Sequence, residues 1–271
     1  MLTGAGEPPA WDADPGTPRL FGPDSAVWVV HSDVAMLVGG LRALLYQTLH
    51  PLALAGVAEH SDYRSDPLGR LQRTAAFLGT TAFGSAAEAE AALAKVRAIH
   101  DRVSGTTSDG RPYEANDPRL LGWVHATEVD SFLSAHQRYA ADPLDGSTAD
   151  RYVAEMGEIG RRLGMESPPR DTAELALTLE GYRPELEVTA LTRETVRFLL
   201  FPPLPLAARP MYGLIFAAAA GLLPSHERSM LRLPRLPLVE PVLIRPSATA
   251  LLRVVGWALG EHPSKSAVAA S

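Results

Sequence analysis

Two short stretches hold most of the side chains that could do chemistry. The first runs Asp66-Pro67-Leu68-Gly69-Arg70-Leu71-Gln72-Arg73-Thr74. On a helix, Arg70, Arg73, Thr74 and Phe77 fall at i, i+3, i+4 and i+7 and share one face. Guanidiniums grip carboxylates bidentately. Beside the ring of Phe77 they would suit a flat, anionic, partly apolar ligand. The alternative is a solvated face whose arginines pair with Asp or Glu. The second stretch ends at His100, with Leu93, Val96 and Val103 on the same face. An imidazole so placed is either a core histidine held by a hydrogen bond or an axial ligand to a haem iron.

A third pair, His125 and Glu128, lies one turn apart on a face shared with Leu121, Val124 and Phe132. Burying either group requires a partner, so the pair could act as a relay or as metal ligands. Di-iron carboxylate bundles use Glu-x-x-His on two helices. Here the order is reversed and occurs once. The chain has no HExxH, no Walker loop and no GxSxG. His50-Pro51 and Glu59-His60 are further polar points in an otherwise apolar hairpin.

The elements that must carry these groups are helical. Asp66-Pro67 and Asp117-Pro118 share one grammar, a capping carboxylate followed by a proline at the first helical position. Ser85-Ala-Ala-Glu88 fits a capping box, and Asp171-Thr-Ala-Glu174 is a further capping pattern. Met36, Leu37, Leu41, Leu44 and Leu45 recur at helical spacing after Asp33, and Pro51 restarts that run. Tyr152, Met156, Ile159 and Leu163 give another inward stripe, closed by Gly164. Strand-like alternation is scarce. The expectation is an all-α fold: one multi-helix domain over residues 21–260, an N-terminal arm over 1–20 and a C-terminal tail over 261–271.

Composition sets the limits. The 271 residues are 46% hydrophobic, enough for a substantial core, and the net charge of -6 gives no reason to expect nucleic acid. With no cysteine, disulfides, thiolate metal sites, iron–sulfur clusters and covalent CxxCH haem are excluded. Met1–Trp11 shows no basic start followed by an apolar run, so the chain reads as soluble and cytoplasmic. Phe198–Pro205 and Met211–Leu223 are apolar nearly all round, which fits core packing or peripheral contact with a membrane.

Taken in order, several blocks resemble a known family. They are Gly39-Gly40-Leu41-Arg42-Ala43-Leu44-Leu45, His50-Pro51, Gly56-Val57-Ala58-Glu59-His60-Ser61-Asp62, and Asp66-Pro67 through Thr74. Val96-Arg97-Ala98-Ile99-His100, Asn116-Asp117-Pro118 and Trp123-Val124-His125-Ala126-Thr127 follow. The chain resembles the DUF2236 family of MpaB-type oxygenases and latex clearing (rubber oxygenase) proteins over roughly residues 25–230. That resemblance implies a globin-like helical core holding noncovalent haem b. His100 matches the proximal iron ligand, and Arg70 and Thr74 match the arginine and threonine of the distal helix. His125 matches a histidine supporting the haem pocket, and Glu59 matches the acid–base carboxylate.

Arg73 departs from the pattern, standing where latex clearing proteins have a lysine able to reach iron. Arginine stays protonated and is a poor ligand. The sixth iron position is therefore expected to be open or filled by water or a small ligand. Polyisoprene cleavage belongs to secreted members. The implied function is a haem b-dependent oxygenase taking O₂ and an apolar, isoprenoid- or lipid-like substrate, with Arg73, Thr74 and Glu59 in catalytic roles. The alternative is a haem-free helical protein that binds a hydrophobic ligand without catalysis.

Overall fold

Cap residues decide where this chain turns into helix. In the computed structural model, which describes residues 16–259, Ser25 accepts from the Trp28 amide (3.1 Å) and opens α1, Ala26–Ser32. Asp66 accepts from the Gly69 amide (2.9 Å) and opens α4, Pro67–Phe83. Ser85 and Glu88 exchange both bonds of a capping box at the start of α5, Ala86–His100. Asp117 opens α6, Pro118–Tyr139. Asp145 opens α7, Gly146–Leu163, which Gly164 closes at φ +110°, a left-handed conformation that suits glycine. Residues 1–15 of the expected arm and the whole expected tail lie outside the described residues.

The remaining helices are α2 (Met36–Gln47), α3 (Pro51–His60), α8 (Thr172–Tyr182), α9 (Ala190–Leu200), α10 (Arg209–Leu222), α11 (Ser225–Met230) and α12 (Arg245–Ala258). A π-helical stretch, Glu240–Ile244, runs directly into α12. The fold is all-α and a single domain. Its one small sheet among the described residues is the antiparallel pair β1 (Ser104–Thr106) and β2 (Pro112–Glu114). The segment just before Asp33 is helix α1. It meets α2 at a bend of 94°.

The centre is α2 packed on α6, with α10 against α2. The two central helices approach closely at Gly39, where an added Cβ would sit 2.8 Å from Phe132 Cδ1 and 3.1 Å from the Ser131 carbonyl oxygen. Arg42 ties the three helices together. Its guanidinium is almost fully buried and donates to Asp130 Oδ2 (2.6 Å) and Ser131 Oγ (2.7 Å) on α6. It also donates to the Leu222 carbonyl (3.0 Å) at the end of α10. Val38, Leu41 and Leu45 point inward as the helical spacing requires, while Leu37 and Leu44 are exposed at 47% and 37%. They lie on the far side of a helix whose inner face is filled by Arg42 and Tyr46.

Of the two strongly apolar segments, α10 buries Phe216 and Ala218–Ala220, whereas Phe201, Leu206 and Met211 are exposed. Among the described residues no single helix is long and apolar enough to cross a membrane; α1 and α2 together match in composition but are bent and mostly buried.

Removing one side of a buried charge network leaves the other side uncompensated, at a cost of about 3–5 kcal/mol. Arg42→Ala is expected to lower the unfolding free energy by about that amount. Arg42→Lys should recover only part of it, because an ammonium cannot match three acceptors in the fork geometry of a guanidinium. Urea unfolding of the three proteins checks this.

Candidate functional site

α4 and α5 form a hairpin around the short Gly84-Ser85 turn. Near the turn it is tightly packed, with Thr81, Ala82, Ala89 and Leu93 buried. Away from the turn the cover disappears. Every residue from Leu71 to Ala76 is exposed, and six helical residues span more than a full turn. No face of that stretch has protein against it. Leu68 (63%) and Ile99 (43%) are exposed at the same end. Arg70 lies as far before the turn as His100 lies after it, so both sit at this open end together with Arg73 and Thr74.

His100 is the last residue of α5. Its Nδ1 is shut off from solvent and hydrogen-bonds to nothing. Burial holds its pKa below the ordinary imidazole value, against a weaker opposing pull from Asp101. The ring is therefore neutral at pH 7 and keeps a lone pair to donate.

Arg70 is partly buried and donates to Ser61 Oγ. Burial first, and the neighbouring Arg73 charge second, press against its charged form. No carboxylate forms an ion pair with it among the described residues. Such an arginine suits an anionic partner. Arg73 is on the surface, ion-paired to Asp66 Oδ2 at 3.1 Å, and Thr74 is exposed. The start of α4 is held from below by Tyr63. That side chain is buried in the Ser61–Ser65 turn, edge-on to Phe198 with ring centroids 5.6 Å apart, and its hydroxyl lies 3.3 Å from Thr195 Oγ1 of α9.

Glu59 and His125, the other predicted residues, are carried by α3 and α6. Glu59 of α3 accepts from the Tyr113 hydroxyl of β2 at 2.5 Å. Tyr113 is buried and its pKa is pushed up to about 12, by burial first and by Glu59 second. Gly105 makes room for it, since a Cβ there would clash with the Tyr113 ring. His125 is buried on α6 against α7, where a Cβ on Gly160 would come within 3.3 Å of its Nε2. Desolvation takes its pKa down to about 4. It makes no bond to Glu128, so the suspected His–Glu pair does not form. Among the described residues no cluster of three or more His, Asp or Glu could hold a metal ion. No hydrogen bond joins any two of Glu59, Arg70, Arg73, Thr74, His100 and His125.

Glu128 belongs instead to an interior cluster that sequence reasoning missed. It is partly buried on α6. Tyr152 of α7, fully buried, is pushed above its ordinary range by burial first and then by Glu128 and Glu155. Its hydroxyl is 3.2 Å from His31 Nε2, and burial takes His31 down to about 4. The signal for His31 was a lone imidazole in the apolar run Ala26–Ser32. The signal for Tyr63 was a single aromatic ring in a polar turn.

Burial also raises Glu128 from 4.5 to about 7. The folded protein thus holds this proton more tightly than the unfolded chain does. That contribution is fully present below about pH 4.5 and is lost as the pH rises to about 7. Glu128→Gln keeps the neutral shape at every pH. Its stability relative to the parent is expected to rise between pH 5 and pH 8, by at most about 3 kcal/mol. Denaturant unfolding at the two pH values reads the difference; an equal offset at both would show that Glu128 titrates normally.

A family model described as "ER-bound oxygenase mpaB/B'/Rubber oxygenase, catalytic domain" matches residues 28–258. The chain is similar to the uncharacterized protein Mb2261 of Mycobacterium bovis and to the uncharacterized protein Rv2237 of Mycobacterium tuberculosis. Each is 28% identical over 173 residues, which is 60% of this chain and 66% of the relative. The match thus spans just under two thirds of the relatives' own length. No solved structure matches. Because the matched span, residues 28–258, takes in nearly all the described residues, the chain belongs to the mpaB/rubber oxygenase catalytic-domain family.

Proposed function

We propose that this protein is a haem b-dependent oxygenase that uses O₂ on an apolar, isoprenoid- or lipid-like substrate. The observation that carries the reading is His100, a neutral imidazole whose buried Nδ1 has no hydrogen-bond partner among the described residues, at the open end of the α4–α5 hairpin, level with an arginine that no carboxylate among them neutralises. Haem b asks a protein for one axial nitrogen, cations for its propionates and apolar cover for its ring. His100 fits the first, Arg70 the second, and Leu68, Leu71 and Ile99 are uncovered apolar side chains at the same end. When bound, haem supplies the iron at which O₂ is activated.

The chain's own residues do the rest. His100, kept unprotonated by burial, offers its nitrogen without first losing a proton. Arg70 would hold a carboxylate of the haem. Thr74 offers a hydroxyl on the face of α4 that also carries Arg70. Arg73, a guanidinium, would be a poor iron ligand. Glu59, with Tyr113 donating to it, is a carboxylate already oriented by a buried phenol, a suitable holder of a proton. Cytoplasmic residence is part of the same proposal.

A second reading, a haem-free binder of a hydrophobic ligand, is favoured by one observation: Arg73 is engaged by Asp66 on the surface and Thr74 makes no hydrogen bond. Reconstitution with haem separates the two. The parent is expected to gain a Soret band at one haem per chain, and His100→Ala to lose that band's position and intensity while keeping its far-UV circular dichroism. Arg70→Gln should weaken haem binding about tenfold, the loss of roughly 1.4 kcal/mol. A parent that takes up no haem and no iron, but yields lipid on extraction, would establish the second reading.

A further inference from the structure

The last third of the chain presents a surface that the proposed oxygenase site does not use. The π-helical stretch 240–244 and α12 run on as one rod. Its inner side is buried at Ala248, Leu252 and Gly256. Its outer side carries Val242 (75% exposed), Leu243 (60%), Val254 (62%) and Trp257 (78%), with Pro246 and Ala250 exposed between them. Positions 246, 250, 254 and 257 repeat at helical spacing, so the stripe faces one way. At 1.5 Å per residue it is about 22 Å long. Just before the rod, Leu236 and Leu238 are also exposed, the latter at 80%. Apolar side chains so contiguous are unusual on a surface that faces only water.

Charge says what covers it. The chain as a whole carries -6, yet between residues 232 and 259 there are Arg232, Arg235, Arg245 and Arg253 against Glu240 alone. Glu240 is already taken up by Arg228. Arg232, Arg235 and Arg253 are exposed, and no carboxylate pairs with them among the described residues. Arg232 holds a left-handed backbone (φ 54°), between Leu231 and Leu233, which are both buried. A second copy of this chain docking through the same stripe about a twofold axis would set these arginines against one another. A tryptophan and branched aliphatics flanked by arginines that no carboxylate pairs with among the described residues match an anionic bilayer surface, even with Arg235 donating to the Ser225 carbonyl and the Ser229 hydroxyl. There the ring and aliphatic groups enter the headgroup boundary and the guanidiniums meet phosphates.

We infer that the outer face of the rod formed by residues 240–258, with Leu236 and Leu238, docks the protein peripherally on an anionic phospholipid bilayer. The rod lies flat in the interface and does not span it. This inference is independent of haem and of catalysis.

Flotation of the full chain with vesicles tests it. Binding is expected to vesicles containing about one third phosphatidylglycerol and to be at least tenfold weaker on pure phosphatidylcholine or in half-molar salt. The double variant Val242→Ser/Trp257→Ser should lose tenfold or more of this binding. Arg232→Glu/Arg253→Glu, which leaves the apolar stripe intact, should do the same. Both variants change only exposed side chains, and circular dichroism verifies that each is folded. Failure of the parent to float with anionic vesicles overturns the inference, as does flotation that neither variant weakens. So does light scattering that shows a dimer dissociated by the Val242/Trp257 change in a protein that does not float.

Discussion

The structure depends on a guanidinium in the wrong place for one. Arg42 is in the middle of the core, where an unpaired cation would be intolerable. It is stable there because its fork meets a carboxylate, a hydroxyl and a helix-terminal carbonyl from two other helices. The carbonyl end of α10 carries partial negative charge, so the contact with Leu222 is favourable twice over. Gly39, one turn earlier, lets the two central backbones come near enough for the network to close. Once α2, α6 and α10 are fixed relative to one another, the rest is hung from α6. That helix carries His125 against α7, packs on α8, and begins directly after the hairpin that holds Tyr113.

The same logic of burial sets the charge state of the interior. Desolvation is the leading cause for His31, His100, His125 and Glu128 alike, and in each case it favours the neutral form. Neutral imidazoles are available as ligands or acceptors, and a protonated carboxyl is available as a donor. Arg70 cannot follow suit, because a guanidinium does not give up its proton in this range. It remains a partly buried cation that donates to the Ser61 hydroxyl and has the Arg73 charge beside it. The electrostatic imbalance of the α4–α5 tip therefore comes down to one residue.

Much of the helical framework was legible because local signals and tertiary demands agree. The aspartate–proline starts at Asp66 and Asp117 and the Ser85–Glu88 box form as their residue types require. The stripe Tyr152, Met156, Ile159 is inward. What could not be read is where polar groups are satisfied over long sequence distances. The partners of Arg42 are about 90 and 180 positions away, beyond the reach of any local pattern. The small sheet at 104–114 is too short to show alternation. The π-helical turn carries no composition that separates it from an ordinary helix. At the site, spacing put Arg70, Arg73 and Thr74 on one helix correctly. It could not tell that Arg73 would fold back onto its own cap residue, Asp66, or that Glu128 would turn away from His125.

The uncovered turn of α4 has a consequence for how the protein moves. Leu71 to Ala76 are all exposed, so the backbone hydrogen bonds there are protected chiefly by the helix ladder. Fraying there breaks little beyond the surface Arg73–Asp66 ion pair, so its free energy is set locally and lies far below that of the α2–α6 centre. The open end of the hairpin can thus loosen, admit something bulky and close again while the hub around Arg42 stays folded.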